Sequence, residues 1–315
     1  MHPLVSILIP VYDDAASARL LLDRLAVEAV GLPCRLRVLF VDDGSCPAEA
    51  AALPGPTAAL PRVEVLRLRR NLGHQRAIAV GLAALAAGER PDFVVVMDGD
   101  GEDDPATIAP LLAAATGGDG HTAVFAARLK RHEGAAFVIG YQLFRLLHRL
   151  LVGADVRMGN FSVLPAAVLD RVVGVSEIWN HYAAGVVHAR IPIQFVPTDR
   201  GRRLAGRSKM NLPALVLHGI CALSVWSDVI VARSFLVVGL VLGATLAALA
   251  GLVAVRLCAA RLVPAWAMEL GGWLVLLQLL LAIVGLLLAL FVLGSRSAMN
   301  VLPHRDWRDY VLPGR

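Results

Sequence analysis

The residues best equipped for chemistry are carboxylates. In "FVVVMDGDGEDDP", Phe93 to Pro105, the apolar run Val94 to Met97 leads straight into Asp98, Asp100, Glu102, Asp103 and Asp104. Asp98 and Asp100 alternate on an extended segment and so point different ways. One can reach a hard divalent cation while the other holds a sugar or ribose hydroxyl. Mg2+ and Mn2+ prefer oxygen ligands, and Mg2+ is typically held by one or two carboxylates plus substrate phosphates. The cluster therefore reads as half of a site whose other half is a diphosphate. A bare Asp-x-Asp is more often a solvated turn. The context favours the site, because two earlier apolar runs also end in acids, at Asp13/Asp14 and at Asp42/Asp43.

The elements that must position these acids follow from the hydrophobic pattern. Residues 5–12, 35–44, 64–70, 92–98 and 122–128 read as strands. Residues 18–30, 74–88 and 105–116 read as helices, the second closed by Gly88 and the third opened by Pro105. An Ala/Pro-rich loop occupies 46–62. This alternation predicts an α/β fold with a mainly parallel, buried sheet. In such sheets ligands bind beyond the carboxyl ends of the strands, which is where the three acid pairs fall. Further on, the pattern gives helices over 137–152 and near 181–190, and strands at 161–164 and 193–198. "DRGRRLAGRSKMN", 199–211, is basic, glycine-containing and aperiodic, hence a loop.

Composition adds a membrane. Hydrophobic residues make up 57% of the 315 residues, and mean hydropathy is +0.66, too apolar for an ordinary soluble protein. Residues 234–255 and 270–295 are uncharged, and each is long enough to span a bilayer at about 20 residues per crossing. The 211–230 stretch is apolar but broken by Pro213, His218 and Asp228, so it reads as an interfacial helix, with a third span as the alternative. The N-terminus has no basic n-region and meets Asp13 early, so no signal peptide is expected and the first 200 residues belong in the cytoplasm. Arg296, Arg305, Arg308 and Arg315 place the tail there too. The expected organisation is a catalytic domain over 1–210, an amphipathic interfacial helix over 211–233, two transmembrane helices over 234–295 and a cytoplasmic tail over 296–315. The net charge of +5 suits phosphates or a lipid surface; nucleic acid is not an expected partner. Cys34, Cys46, Cys221 and Cys258 form no CxxC and suggest neither disulfides nor zinc.

"SILIPVYDD", "FVDDGS", "RNLGHQRAIAVGL", "VMDGDGEDDP" and "RLAGRSKM" occur in the order and approximate spacing of family 2 glycosyltransferases of the GT-A (Rossmann-like) fold. The chain resembles the branch that loads a sugar onto a polyprenyl phosphate, the dolichyl-phosphate mannosyltransferase and undecaprenyl-phosphate glycosyltransferase type. The resemblance implies a UDP- or GDP-sugar donor, Mg2+ or Mn2+, an inverting transfer and a polyprenyl-phosphate acceptor at the cytoplasmic membrane face. It also leaves a homo-oligomer open. Pro10, Tyr12 and Asp14 match the donor-binding segment, with Asp13 where Asn is usual. Asp42 and Asp43 match the nucleoside-binding acids. Asp98 and Asp100 match the Asp-x-Asp pair, with Asp100 the better metal ligand. Glu102 joins the metal set, and Gly99 replaces the usual Ala. Arg203, Ser208 and Lys209 match the phosphate-holding basic loop, with Met210 where Tyr is usual. Segment 158–164 matches the acceptor side loosely.

A diphosphate leaving group and a phosphate acceptor put several negative charges in one site, and arginine can meet them bidentately. Asp100, Arg203 and Lys209 are the expected catalytic residues, with Arg128 and Arg131 as further phosphate contacts. An ordinary juxtamembrane positive-inside cluster is the alternative reading of this basic loop, and Arg202 and Arg207 fit it even if Arg203 and Lys209 do not. No general base stands out; an anionic phosphate acceptor needs none, and a hydroxyl acceptor would turn to Asp103 or Asp104. His74, His181 and His188 share no metal-like spacing and read as structural. The competing readings are a glycosyltransferase for another lipid or glycan and a non-catalytic membrane scaffold of the same fold. The absence of a Gln-x-x-Arg-Trp motif argues against a processive polymerase.

Overall fold

The structure, a computed structural model, describes residues 2–128, 142, 146, 148–153, 159–199, 201–206, 212–259, 264–297 and 301–313. The chain divides into two compact units. One is α/β and comprises Met1–Tyr141, Val156–Val225 and Val301–Arg315; the other is helical and comprises Gln142–Asp155 and Trp226–Asn300.

The α/β unit is built on a seven-stranded sheet of order β3-β2-β1-β4-β6-β5-β7. The strands are β1 Leu4–Val11, β2 Arg35–Asp42, β3 Val63–Arg67, β4 Phe93–Val96, β5 Ala123–Arg128, β6 Ser162–Pro165 and β7 Ile193–Thr198. Pairs β1·β2, β1·β4, β2·β3 and β5·β7 are parallel, while β6 runs antiparallel to both β4 and β5. The sheet is thus GT-A-like and mixed, with one reversed strand inside it.

Every residue of β1 is buried, as expected of a central strand covered on both faces. Its side chains alternate between two cores. Ile7 and Ile9 face helices α1 (Ala15–Ala29) and α4 (Ile108–Thr116). Leu8 faces α3 (His74–Ala87), α5 (Ala166–Val173) and α6 (Tyr182–His188). Within the loop expected over 46–62 lies one short helix, α2 (Pro47–Ala52), where Pro47 at the first position suits a helix start and the alanines sustain a turn or two.

The stretch expected as one helix over 211–233 is two. Helix α7 (Leu212–Ser224) belongs to the α/β unit and, at 13 residues, is too short to cross a bilayer. A break at Val225 and Trp226 precedes α8 (Ser227–Cys258), which has Asp228 in its first turn where the helix dipole favours an acid. Helix α8 packs on α9 (Ala265–Ser297). Both are long and apolar enough to span a membrane, with mean hydropathies of 2.5 and 3.0 and almost no buried surface. Between them Gln278 Nε2 donates to Thr245 Oγ1 at 2.7 Å, a polar clasp between otherwise apolar helices.

After α9 the chain rejoins the α/β unit. Leu68 and Val311 form an antiparallel bridge beyond the end of β3. Arg69 N donates to Tyr310 O and Leu312 N to Arg67 O, each at 2.9 Å. Trp307, Tyr310 and Val311 pack against the α3-side core, with Tyr310 and Trp179 ring centroids 4.8 Å apart. The tail thereby covers part of an otherwise open edge of the sheet.

Candidate active site

Parallel pairing decides where the acids meet. Val11 lies beside Asp42, and Leu8 beside Val96. The carboxyl ends of β1, β2 and β4 therefore share one rim of the sheet, and Asp13/Asp14, Asp42/Asp43 and Asp98/Asp100 emerge from it together, as the sequence predicts.

The turn after β4 is organised by its own acids. Asp103, 2% exposed, accepts the Asp98 N–H through Oδ2 at 2.9 Å, and Asp104 caps the following turn by accepting from Ala106 N. Both carboxylates thus help to shape the turn. Asp100 Oδ1 accepts the Glu102 N–H at 3.0 Å. Gly99 passes so close to β1 that a Cβ there would stand 3.0 Å from Pro10 O, a tight fit for the alanine that is usual here. Gly101, at φ +81°, carries Leu204 directly on top of it; a Cβ would lie 2.3 Å from Leu204 Cγ.

That contact seats the 201–205 segment on the acidic turn. Gly201 N donates to Glu102 O at 2.8 Å and Leu204 N to Asp100 O at 2.9 Å. Arg203, expected to hold phosphate, lies between two acids: Nη1 donates to Asp100 Oδ2 at 3.0 Å and Nη2 to Asp14 Oδ2. Its Nε donates to Ala205 O at 2.8 Å. Burial pushes the Asp100 carboxyl above the usual range, aided by the nearby charges of Asp98 and Glu102 and opposed by the Glu102 amide and Arg203.

The acids of the first two strands are tied down more firmly. Asp43, 3% exposed, accepts from Leu72 N at 2.7 Å and Gly73 N at 2.9 Å, and so holds the "RNLGH" loop. Burial raises its carboxyl pKa despite those amides. Gly44, at φ +74°, lies against the Arg70–Asn71 backbone, where a Cβ would come within 2.6 Å. Asp42 Oδ1 accepts from Ser45 N, and Asp13, in the left-handed region at φ 45°, accepts from Cys46 N at 2.8 Å. Tyr12 stands exposed at the rim.

His74, read as structural from spacing alone, belongs to the site. Its Nε2 lies 3.1 Å from Asp98 Oδ1 and 2.9 Å from Asn160 Nδ2. Dense packing lowers the pKa of the imidazole, although 41% of the side chain stays accessible. The charge and hydrogen bond of Asp98, with Asp103 and Asp43 behind it, outweigh that effect and leave the pKa raised. Asn160 in turn accepts from Gln75 Nε2 at 3.3 Å, and Gln75 Oε1 accepts from Tyr182 N at 2.7 Å. His181 is likewise linked: its Nδ1 accepts from Ala184 N, and its Nε2 lies 3.3 Å from His218 Nε2 on α7. One signal for His74 was on the page, since it opens the helix that follows β3 and therefore sits at the same rim. For Asn160 the sequence offered only its place in the loosely matching 158–164 segment, and its contact with His74 depends on the reversed strand that follows it.

Arg128 closes β5 at its carboxyl end. Arg131, Arg207, Ser208, Lys209 and Met210 lie outside the described residues. Among the described residues, no group of three or more His, Cys, Asp or Glu forms a ready cation cage. A pair of carboxylates, Asp98 and Asp100, partly exposed at 27% and 23%, is the oxygen-donor set the rim offers. That set fits a hard cation completed by substrate phosphates rather than one held by protein alone.

The description "Glycosyl transferase family 2" matches residues 6–157. The chain is 29% identical over 224 residues to the "Uncharacterized glycosyltransferase YkcC" of Bacillus subtilis (strain 168), covering 68% of this chain and 66% of the relative. It is 32% identical over 171 residues to the undecaprenyl-phosphate 4-deoxy-4-formamido-L-arabinose transferase of Shewanella sediminis (strain HAW-EB3), covering 54% of this chain and 49% of that one. These alignments span between about half and two thirds of the relatives' length. Among solved structures, the fold is shared with mannosyl-3-phosphoglycerate synthase from Rubrobacter xylanophilus (TM-score 0.51, 17% identity, 72% of this chain and 73% of that one). It is shared also with glucosyl-3-phosphoglycerate synthase from Mycobacterium tuberculosis, solved with Mn2+, UDP-glucose and phosphoglyceric acid (TM-score 0.52, 15% identity, 72% and 80%). With the acid rim and the GT-A-like sheet beneath it, residues 6–157 thus match the glycosyl transferase family 2 domain.

Proposed function

We propose that the protein is a membrane-anchored, metal-dependent inverting glycosyltransferase that moves a sugar from a nucleotide sugar to a polyprenyl phosphate at the cytoplasmic membrane face. The observation that carries this reading is the meeting of Asp14, Asp98, Asp100 and Arg203 at the shared carboxyl rim, in a chain that also holds two long apolar helices. Asp98 and Asp100 would hold Mg2+ or Mn2+, which would supply positive charge opposite a leaving diphosphate. Arg203 lies within reach of the same place, and a bidentate guanidinium suits a phosphate as well as it suits the carboxylates it now touches. The acceptor oxygen, already anionic, attacks the anomeric carbon as the bond to the nucleoside diphosphate breaks. No proton must be removed, which agrees with the structural duties of Asp103 and Asp104. Positioning and charge stabilisation carry the reaction. The relative from Shewanella sediminis supports the lipid-phosphate acceptor, and the neighbour solved with Mn2+ and UDP-glucose supports the donor and cation. The tail supports the topology: residues on both sides of the helical pair pack into one α/β unit, so an even number of crossings separates them.

The test is to incubate the purified protein with a panel of UDP- and GDP-sugars, Mn2+ or Mg2+, and polyprenyl phosphate, and to look for the lipid-linked sugar. Transfer to polyprenol as readily as to its phosphate would overturn the anionic-acceptor mechanism. Binding of nucleotide sugars with no transfer to any acceptor would leave a scaffold.

A further inference from the structure

Arg203 makes a contact that phosphate binding does not explain. It bridges an acid after β1 and an acid after β4, with Nη2 on Asp14 and Nη1 on Asp100 Oδ2. The bridge is not a swinging surface pair. Arg203, Asp14 and Asp100 are 20%, 19% and 23% exposed. Its third donor, Nε, is anchored on Ala205 O within its own loop. The loop is fixed to the acidic turn by two backbone hydrogen bonds and by Leu204 seated on Gly101. Asp100 Oδ1 is meanwhile engaged by the Glu102 amide, so Oδ2, the oxygen free of that amide, is the one that meets the guanidinium. An oxygen paired with arginine must give up that partner, or share it, to ligate a cation, because two positive charges a few ångströms apart repel.

We infer that Arg203 and the divalent cation compete for the Asp100 carboxylate, so that Arg203 serves as a built-in counter-ion for the empty site. The inference rests on the metal role assigned to Asp100 above. Arg203 neutralises Asp14 and Asp100 before donor arrives. When donor and cation arrive together, the diphosphate provides a second anionic partner for the guanidinium, which can then turn to it without leaving a buried charge unpaired. Cation alone lacks that exchange and binds weakly. Cation and nucleotide binding are therefore coupled, and the coupling must be reciprocal: nucleotide raises cation affinity by the factor by which cation raises nucleotide affinity.

The experiment titrates Mn2+ alone into the full-length protein in detergent, reading free Mn2+ by electron paramagnetic resonance, for wild type, Arg203→Gln and Arg203→Lys. Arg203→Gln, which keeps a polar side chain on the loop and removes the charge, is expected to bind Mn2+ at least about tenfold more tightly than wild type. Arg203→Lys, a single-point cation that cannot bridge both acids in the same way, should fall between them. Unchanged or weaker Mn2+ binding in Arg203→Gln, in a variant whose melting temperature shows it folded, would overturn the inference and make Arg203 a builder of the cation site. If Arg203→Gln does not fold, Arg203→Lys decides by the same readout. Loss of Mn2+ binding in Asp100→Asn is the control for the role on which the inference rests. Failure of lipid-phosphate transfer with the Mn2+ shift intact would refute the proposed acceptor and leave this competition standing.

Discussion

At the scale of single residues, the rim divides into acids that build and acids that remain for substrate. Asp42, Asp43, Asp103 and Asp104 accept backbone amides, Asp14 and Asp98 meet cationic or polar side chains, and Asp100 does both, with one oxygen on the Glu102 amide and the other on Arg203. Asp100→Asn is therefore expected to abolish transfer while leaving the fold intact, and chelator should do the same to wild type; turnover in excess chelator refutes the cation role. His74→Ala should lower turnover by at least about tenfold, since it removes a charge-assisted contact that orients Asp98, worth roughly 1.5–3 kcal/mol. A variant with wild-type kcat and KM returns His74 to a packing role. The acids were legible because they follow apolar runs in sequence. His74 and Asn160 were not legible as a pair, since 86 residues separate them and only the antiparallel course of β6 brings Asn160 to the rim.

Elements tell a similar story. The alternation of apolar runs and amphipathic stretches announced β1 to β5 and the helices α1, α3 and α4, but not the short α2, which lies in a stretch that read as a loop. The reversal of β6 had no local signal, because four buried residues read alike in either direction. The end of α7 at Ser224 was equally silent, with no Gly or Pro at the break. Helix α7 is fixed to α6 by a histidine pair whose tautomers are dictated. His181 Nδ1 accepts from Ala184 N, so the proton sits on Nε2 and is donated to His218 Nε2, which must be unprotonated. Burial, with the nearby His74, lowers the His218 pKa, against a smaller opposing pull from Asp98. A histidine with a depressed folded pKa contributes stability that is present above its unfolded value, 6.5, and lost as pH falls through the folded one. The stability difference between wild type and His218→Phe should thus be full above about pH 7 and shrink on acidification. Thermal melts across that range check it; a difference that grows toward acid pH excludes the pairing.

For the whole molecule, the return of the chain to the α/β unit is the organising fact. Hydropathy made the two long helices plain, and the arginines after them suggested a cytoplasmic tail. Nothing local foretold that Trp307, Tyr310 and Val311 would dock beside β3, for that segment is short and its partners, Leu68 and Trp179 among them, lie far earlier in the chain. Trp307→Ala is expected to destabilise the α/β unit by about 2 kcal/mol, the scale of burying one large apolar side chain. Unchanged melting would mean that the tail adds nothing to the fold. A reporter fused after Leu312 should report the same side of the membrane as one fused to the N-terminus, the cytoplasmic side under the proposed function; a signal from the opposite face would contradict the even number of crossings.

The same docking sets an order of events during synthesis. A ribosome makes the β3 edge long before it makes residues 307–312, and α8 and α9 emerge in between. Through that interval the nascent domain carries an edge strand without its cover, a template for pairing with neighbouring chains. The cover arrives only after both apolar helices have left the ribosome. Completion of the sheet edge is thereby tied to synthesis of the helices, and a chain that stalls within them cannot close the edge of its own α/β unit.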